Sequence, residues 1–173
     1  MKKPTKAQMK LIQKLPFKYQ IIALIIFLVV ANFSYFSSFT KEYSLEHVSD
    51  GDTITLLAKG EKIKVRFYGI DAPESAQEYG QFCKDMLGDF LKGKEIKLEI
   101  KDKDKYGRVV GIVYANNEDI NQKMVRNGCA WSYQNYTKKY LEDEKYARAN
   151  KLGLWQSKNP QNPRDFRLEH KRN

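Results

Sequence analysis

The 173-residue chain carries 31 basic and 21 acidic side chains, a formal net charge of +10. Six of the lysines (Lys2, Lys3, Lys6, Lys10, Lys14, Lys18) and no acid lie in 1–40, which leaves 41–173 with 25 basic and 21 acidic groups, a net of +4. Such a domain can approach a polyanion but does not bind one by charge alone, and the length suits one domain of ordinary size with a short extra segment.

The lysine-rich start runs into eleven apolar residues, Ile21 to Ala31, and then a mixed stretch reaching Phe39. Eleven residues suit a signal-peptide core, whereas counting from Tyr19 through Phe39 gives about the 20 residues of a spanning helix. Lysines on the leading side predict that they stay in the cytoplasm and that 41–173 is exported. A buried core helix fits poorly, because six unpaired lysines would flank it. The expectation is an export signal, as an uncleaved anchor over 19–39 in preference to a cleaved peptide. The domain would then be held outside the cytoplasm, or be secreted or periplasmic if cleavage occurs.

From residue 41 the apolar run gives way to alternating charge. Residues 41–48 and 53–57 read as strands joined at Asp50-Gly51-Asp52. In the next strand Ile63, Val65 and Phe67 share one face, which turns Lys64, Arg66 and Tyr68 to the other. Gly69 and Pro73 end it and leave Asp71 and Glu74 in the loop beyond. Phe82, Met86, Leu87, Phe90 and Leu91 recur at helical spacing before a stop at Gly93. Ile96, Leu98 and Ile100 alternate with charged residues, and 108–115 forms a further strand after a polar turn over 102–107. Asp119 is placed to cap a second helix that closes at Gly128, and a third covers about 139–151. About five strands, with a helix between the third and fourth, predict an α+β domain over 41–157. Its centre would be a small five-stranded barrel of the oligonucleotide-binding (OB-fold) type with about three helices, preceded by a hydrophobic N-terminal helix. The charged tail over 158–173, with two prolines, reads as flexible or loosely docked.

Cys83 and Cys129 lie in the exported part, where an even count permits one disulfide; two buried thiols fit the sequence equally well. Neither has metal-ligand spacing, and His47 and His170 are the only histidines, so a zinc site is not expected.

Three clusters carry the chemistry: Asp50-Gly51-Asp52-Thr53, Arg66 through Glu74, and Asp104-Lys105-Tyr106-Gly107-Arg108. Alone, the first is a common hairpin turn and the third a charged one. The second is harder to explain as a turn, since nothing in turn formation calls for a carboxylate on either side of Pro73. Together they offer three acids able to hold a hard cation and two arginines able to clamp phosphodiester oxygens. That combination is what metal-assisted phosphodiester cleavage needs.

In order and spacing these clusters resemble the thermonuclease family, the staphylococcal-nuclease-like fold. The resemblance extends over roughly 43–156, through Asn121, Val125-Arg126-Asn127-Gly128, Ala130-Trp131, Tyr133, Tyr136 and Gly153-Leu154-Trp155. It implies that Asp52, Asp71 and the backbone carbonyl of Ala72 ligate one calcium ion, with water completing the shell. Glu74 would orient or deprotonate the attacking water, and Arg66 and Arg108 would hold the phosphate. Lys105 and Tyr106 would contact a neighbouring terminal phosphate. Tyr133 or Tyr136 would stack on a base, although both also suit packing against the barrel. The implied activity is sequence-tolerant endonucleolytic cleavage of DNA and RNA that leaves 3′-phosphate ends, by a monomer needing no protein partner. Two departures stand out: Ala72 replaces the family's threonine, and only residues 75–78 separate Glu74 from Tyr79, where the family pattern carries a longer loop. The competing expectation is a non-catalytic nucleic-acid-binding OB-fold module, for which carboxylates beside a phosphate would be a hindrance.

Overall fold

Alternating apolar residues build the first three strands into a meander. Strand β1 (Ser44–Asp50) pairs antiparallel with β2 (Thr53–Ala58), and β2 pairs with β3 (Glu61–Phe67). The computed structural model describes residues 16, 18–19, 21–22 and 43–170. The chain divides into two units, Met1–Lys41 and Glu42–Asn173. In the first, residues 18, 19, 21 and 22 are helical. Among the described residues no helix is long and apolar enough to cross a membrane, and most of the stretch expected to be an anchor lies outside them.

In the second unit the chain leaves β3 through the short β4 (Ile70–Asp71) and forms helix α1 (Gly80–Leu91). Gly80, Cys83, Leu87 and Leu91 form its buried stripe at helical spacing. Strands β5 (Ile96–Lys103) and β6 (Val109–Ala115) follow as an antiparallel pair, and β6 runs parallel to β3. An isolated bridge between Tyr43 and Ile96 ties the start of β1 to β5, so five strands close in the order β1-β2-β3-β6-β5. The curled sheet turns Ile54, Leu56, Val65, Phe67 and Val113 into one core, completed by α1 and by the next helix.

Beyond this barrel lie the two-residue β7 (Glu118–Asp119), α2 (Ile120–Arg126), β8 (Trp131–Ser132), α3 (Leu141–Ala149) and a 3-10 turn (Gly153–Gln156). Asp119 caps α2 by accepting a hydrogen bond from the Gln122 N–H at 2.9 Å. Strand β8 pairs with β4, Ile70 opposite Ser132 and Asp71 opposite Trp131, which draws the acidic loop against the 131–136 segment. Cys83 on α1 is joined to Cys129 in a disulfide, their Cα atoms 5.1 Å apart. Trp131 packs edge-on against Trp155, and the Arg148 guanidinium lies 3.6 Å from the Trp155 ring centroid, sealing a second small core with Ala147 and Leu154.

The five-stranded α+β barrel and its three helices match the expectation; two further elements were not foreseen. The short β4–β8 ribbon has no periodic signature, because two residues cannot show one. The tail, expected to be flexible or loosely docked, contains a fourth helix, α4 (Pro163–Glu169). Its start carries a local signal: Asn162 accepts from the Arg164 N–H at 2.9 Å and Pro163 occupies the first helical turn.

Candidate active site

The β1–β2 turn, the end of β3 and the loop after β4 meet at one end of the barrel. Gly51 makes the meeting close: a Cβ there would fall 2.8 Å from the Ala72 Cβ. The approach lets the Ala72 N–H donate to Asp52 Oδ2 at 2.6 Å. Thr53 donates its hydroxyl to Asp52 Oδ1 at 3.1 Å, and the Asp52 N–H donates to Asp50 Oδ1 at 3.0 Å. Asp52 and Asp71 are therefore both buried, brought together from 19 positions apart in sequence.

Arg66, facing away from the core as its strand parity requires, bridges the two acids. Its Nη1 lies 2.7 Å from Asp52 Oδ2 and its Nη2 2.8 Å from Asp71 Oδ1. Burial pushes the Asp52 carboxyl well above its ordinary range; Arg66 opposes that rise, while Asp50 and Asp71 add to it. Two buried carboxylates around one guanidinium form a site that demands positive charge.

Glu74 is positioned by a different device. Its N–H donates to Gln77 Oε1 at 2.8 Å, and its carbonyl accepts from the Gln77 N–H at 2.8 Å. Gly80 packs flat against this turn, since a Cβ on Gly80 would lie 2.0 Å from the Glu74 carbonyl oxygen. The turn aims the half-exposed Glu74 side chain at the opening where Arg66 and the aspartates lie.

The opening belongs to a groove of about 640 Å³ lined by Asp52, Arg66, Glu74, Arg108, Tyr106, Tyr133 and Tyr136 among others. Arg108 enters from the β5–β6 turn, with Nε donating to Asp104 Oδ2 at 2.7 Å. Asp104 Oδ1 in turn accepts from the N–H groups of Tyr106 and Arg108, both at 2.9 Å, so one carboxylate folds the turn and aims the arginine. Lys105 also lines the groove, and Tyr106 is largely exposed there. Tyr133 and Tyr136 lie with ring centroids 5.1 Å apart, and Tyr68 donates its hydroxyl to the Tyr136 carbonyl at 2.9 Å. Tyr136 is exposed rather than packed into the barrel, which leaves its ring face for a ligand. Asp71 and Ala72 sit behind the lining, both buried.

A profile of the family described as "Staphylococcal nuclease homologue" matches residues 64–157, a stretch that includes Arg66, Asp71, Glu74 and Arg108. This chain belongs to that family. Its relatives include a Haemophilus influenzae protein described as "Uncharacterized endonuclease", 43% identical over 129 residues that cover 73% of this chain and 72% of that protein. The "Micrococcal nuclease" of Shigella flexneri is 39% identical over 137 residues, covering 72% of this chain and 79% of that one. A "Probable staphylococcal-like nuclease" of Oryza sativa subsp. japonica is 40% identical over 120 residues, but the match spans only 35% of its length.

Two buried carboxylates and a neighbouring backbone carbonyl are the oxygen donors this site offers a cation. Among the described residues no three His, Cys, Asp or Glu side chains converge as a metal-binding group, so two carboxylates would need a carbonyl and water to complete a shell. An all-oxygen set of that kind suits a hard cation. The demand for a positive charge is visible: a guanidinium, that of Arg167 on α4, lies between the acids. Its Nη2 is 2.9 Å from Asp71 Oδ2, and its Nη1 is 2.8 Å from Glu74 Oε1 and 3.2 Å from Asp71 Oδ1. Partial burial works against its charge, but bonds to Asp71 and Glu74 outweigh that and raise its pKa, so Arg167 is protonated at every ordinary pH. Reading the sequence missed Arg167. The Asn162-Pro163 helix start was the available signal, but no local pattern tells which way a tail helix points its arginine.

Proposed function

We propose that this member of the nuclease family is a calcium-dependent endonuclease that hydrolyses DNA and RNA with little sequence preference and leaves 3′-phosphate ends. The observation that carries the reading is the convergence of Asp52, Arg66, Glu74 and Arg108, from four separate segments, on one groove with exposed tyrosines along it and Asp71, bonded to Arg66, buried behind its lining. The relatives' printed descriptions as nucleases support it.

Asp52, Asp71 and the Ala72 carbonyl would hold the calcium, which when bound supplies positive charge beside the phosphate and the attacking water. Glu74 accepts a proton from that water as its oxygen bonds to phosphorus. The bond from phosphorus to the 5′ oxygen breaks, and that oxygen takes a proton from solvent, leaving a 5′-hydroxyl and a 3′-phosphate. Arg108, of which only Nε is engaged among the described residues, has donors left for the phosphate oxygens. Arg66 completes the clamp from the opposite side once a cation shares the charge of the aspartates it bridges. Tyr133 or Tyr136 offers a ring face to a base, and Lys105 and Tyr106 border the neighbouring phosphate.

We also assign the domain to the outside of the cytoplasm, on the membrane through about 19–39 or free after cleavage. Support comes from the six leading lysines, the apolar run after them and the Cys83–Cys129 disulfide, a bond favoured in oxidising compartments.

The test is cleavage of single-stranded DNA and of RNA by the purified chain, with calcium against a chelator, and with Glu74→Gln alongside. The expected result is calcium-dependent cutting, slowed by about 10²–10⁴-fold in Glu74→Gln, the usual contribution of a general base. Chelator-insensitive binding without cutting would leave a non-catalytic OB-fold module in its place.

A further inference from the structure

Arg167 reaches the acids from 96 residues beyond Asp71, and its three contacts do something the cleavage chemistry does not ask for. Asp71 Oδ1 already accepts from Arg66, so with Arg167 on both of its oxygens the carboxylate is enclosed by two guanidiniums. Glu74 Oε1 is taken as well, so a guanidinium N–H occupies one of the oxygens that would meet the attacking water. With Arg66 already on Asp71 Oδ1, a divalent cation and a second guanidinium compete for the oxygens that remain, because like charges a few ångströms apart repel in a partly desolvated site.

Apart from these ion pairs α4 is lightly held. Of its residues only Pro163 is buried, and Leu168 points outward. A cleft of about 960 Å³ separates the 157–169 segment from the surface formed by Pro73, Tyr79, Trp131 and Arg148. The polar tie across it is a bond of 3.3 Å from Gln77 Nε2 to the Gln161 carbonyl. The stacking of Phe166 on His170 and the Gln161–Glu169 contact stay within the segment itself. Its grip on the domain thus rests on the same carboxylates that the cation and the attacking water require.

We propose that α4 is a releasable autoinhibitory strap: the Arg167 guanidinium and the catalytic cation compete for Asp71 and Glu74. The inference rests on the calcium-dependent reading above. With the strap docked, the acids are neutralised and the fold is stable without metal. Cation binding, helped by a phosphate that neutralises it in turn, expels Arg167 and frees Glu74 to take a proton.

The experiment uses the full chain and its Arg167→Ala and Arg167→Gln variants, titrated with calcium by calorimetry in the absence of nucleic acid. Amide hydrogen exchange over 163–170 is followed with and without the ion. The expected result is calcium affinity about tenfold tighter in both variants, the factor by which a site open about a tenth of the time weakens apparent binding. In the wild type, calcium should also remove the amide protection of α4. Equal affinity in all three proteins, with α4 protection unchanged by calcium, would overturn the strap while leaving the nuclease intact. Lost kcat/KM on DNA at unchanged calcium affinity would overturn it too, making Arg167 a phosphate contact. No calcium binding in any of the three would remove the calcium reading itself. Should the variants fail to fold, the exchange of the wild-type chain decides alone.

Discussion

Asp104 shows how much one partly buried carboxylate can organise. Partial burial pushes its carboxyl up, but the bonds from Arg108 and the Tyr106 N–H outweigh that and hold its pKa below the ordinary 3.8. Its folded-state pKa being depressed, the turn's stabilisation is complete above about pH 4 and is lost as pH falls through the lowered value. A carboxyl NMR titration should therefore find Asp104 titrating below 3.8, and Asp104→Asn should loosen the turn at neutral pH in the way acid does. Because the same carboxylate aims Arg108, the variant should also lose phosphate grip. Arg108→Ala should cost about 3–4 kcal/mol of transition-state stabilisation, read as kcat/KM on DNA, with thermal stability little changed. Parity arguments placed Arg66 on the correct face of β3, but its bridging of Asp52 and Asp71 depends on three segments meeting and has no local signature.

At the scale of elements, the junction between the acidic loop and α1 sets the position of the proton acceptor. Gly80 has no Cβ because the Glu74 carbonyl occupies its place, and that neighbour is backbone, which cannot rotate aside. Gly80→Ala should therefore push the 74–77 turn away from α1. The expected outcome is a drop in cleavage rate of about 10-fold or more, since small misplacements of a reacting group are costly, alongside a melting temperature lowered by several degrees. Asn121, fully buried in α2, does comparable work on the opposite wall. Its Oδ1 accepts from the Val113 N–H, and its amide donates to the Tyr68 and Gly111 carbonyls, tying α2 to β6 and to the segment that carries Tyr68. Asn121→Leu should destabilise by about 1–3 kcal/mol in denaturant unfolding, because those backbone groups have no water to turn to.

Across the whole molecule the disulfide joins α1, which backs the acidic loop, to the segment leading into β8 and the groove tyrosines. Replacing both Cys83 and Cys129 by alanine should lower stability by about 2–4 kcal/mol, measured by chemical denaturation, with cleavage retained at low temperature. The barrel explains why so much of the catalytic constellation sits at one end. The parallel pairing of β3 with β6 sets the end of the strand bearing Arg66 beside the start of the strand preceded by Arg108, Arg66 lying opposite Val110. The Phe67 N–H, donating to the Asp52 carbonyl at 2.8 Å, then holds the β1–β2 turn against the end of β3.

Alternation along β3 and β5, turn residues between the strands, helical spacing in α1 and the Asp119 cap made the barrel and its helices legible, because each is a local pattern. The three charged clusters likewise pointed to one site, since acids and arginines held together in loops need a common ligand to justify them. Tertiary structure decided the rest. Whether Cys83 and Cys129 faced each other, which groups buried Asp52, and that Gly80 must lack a Cβ all depend on separations in space between residues distant in the chain. The tail shows the gap most plainly: Asn162 and Pro163 allow a short helix to start, but only the electrostatic demand of Asp71 and Glu74, 96 and 93 residues earlier, draws Arg167 across the groove.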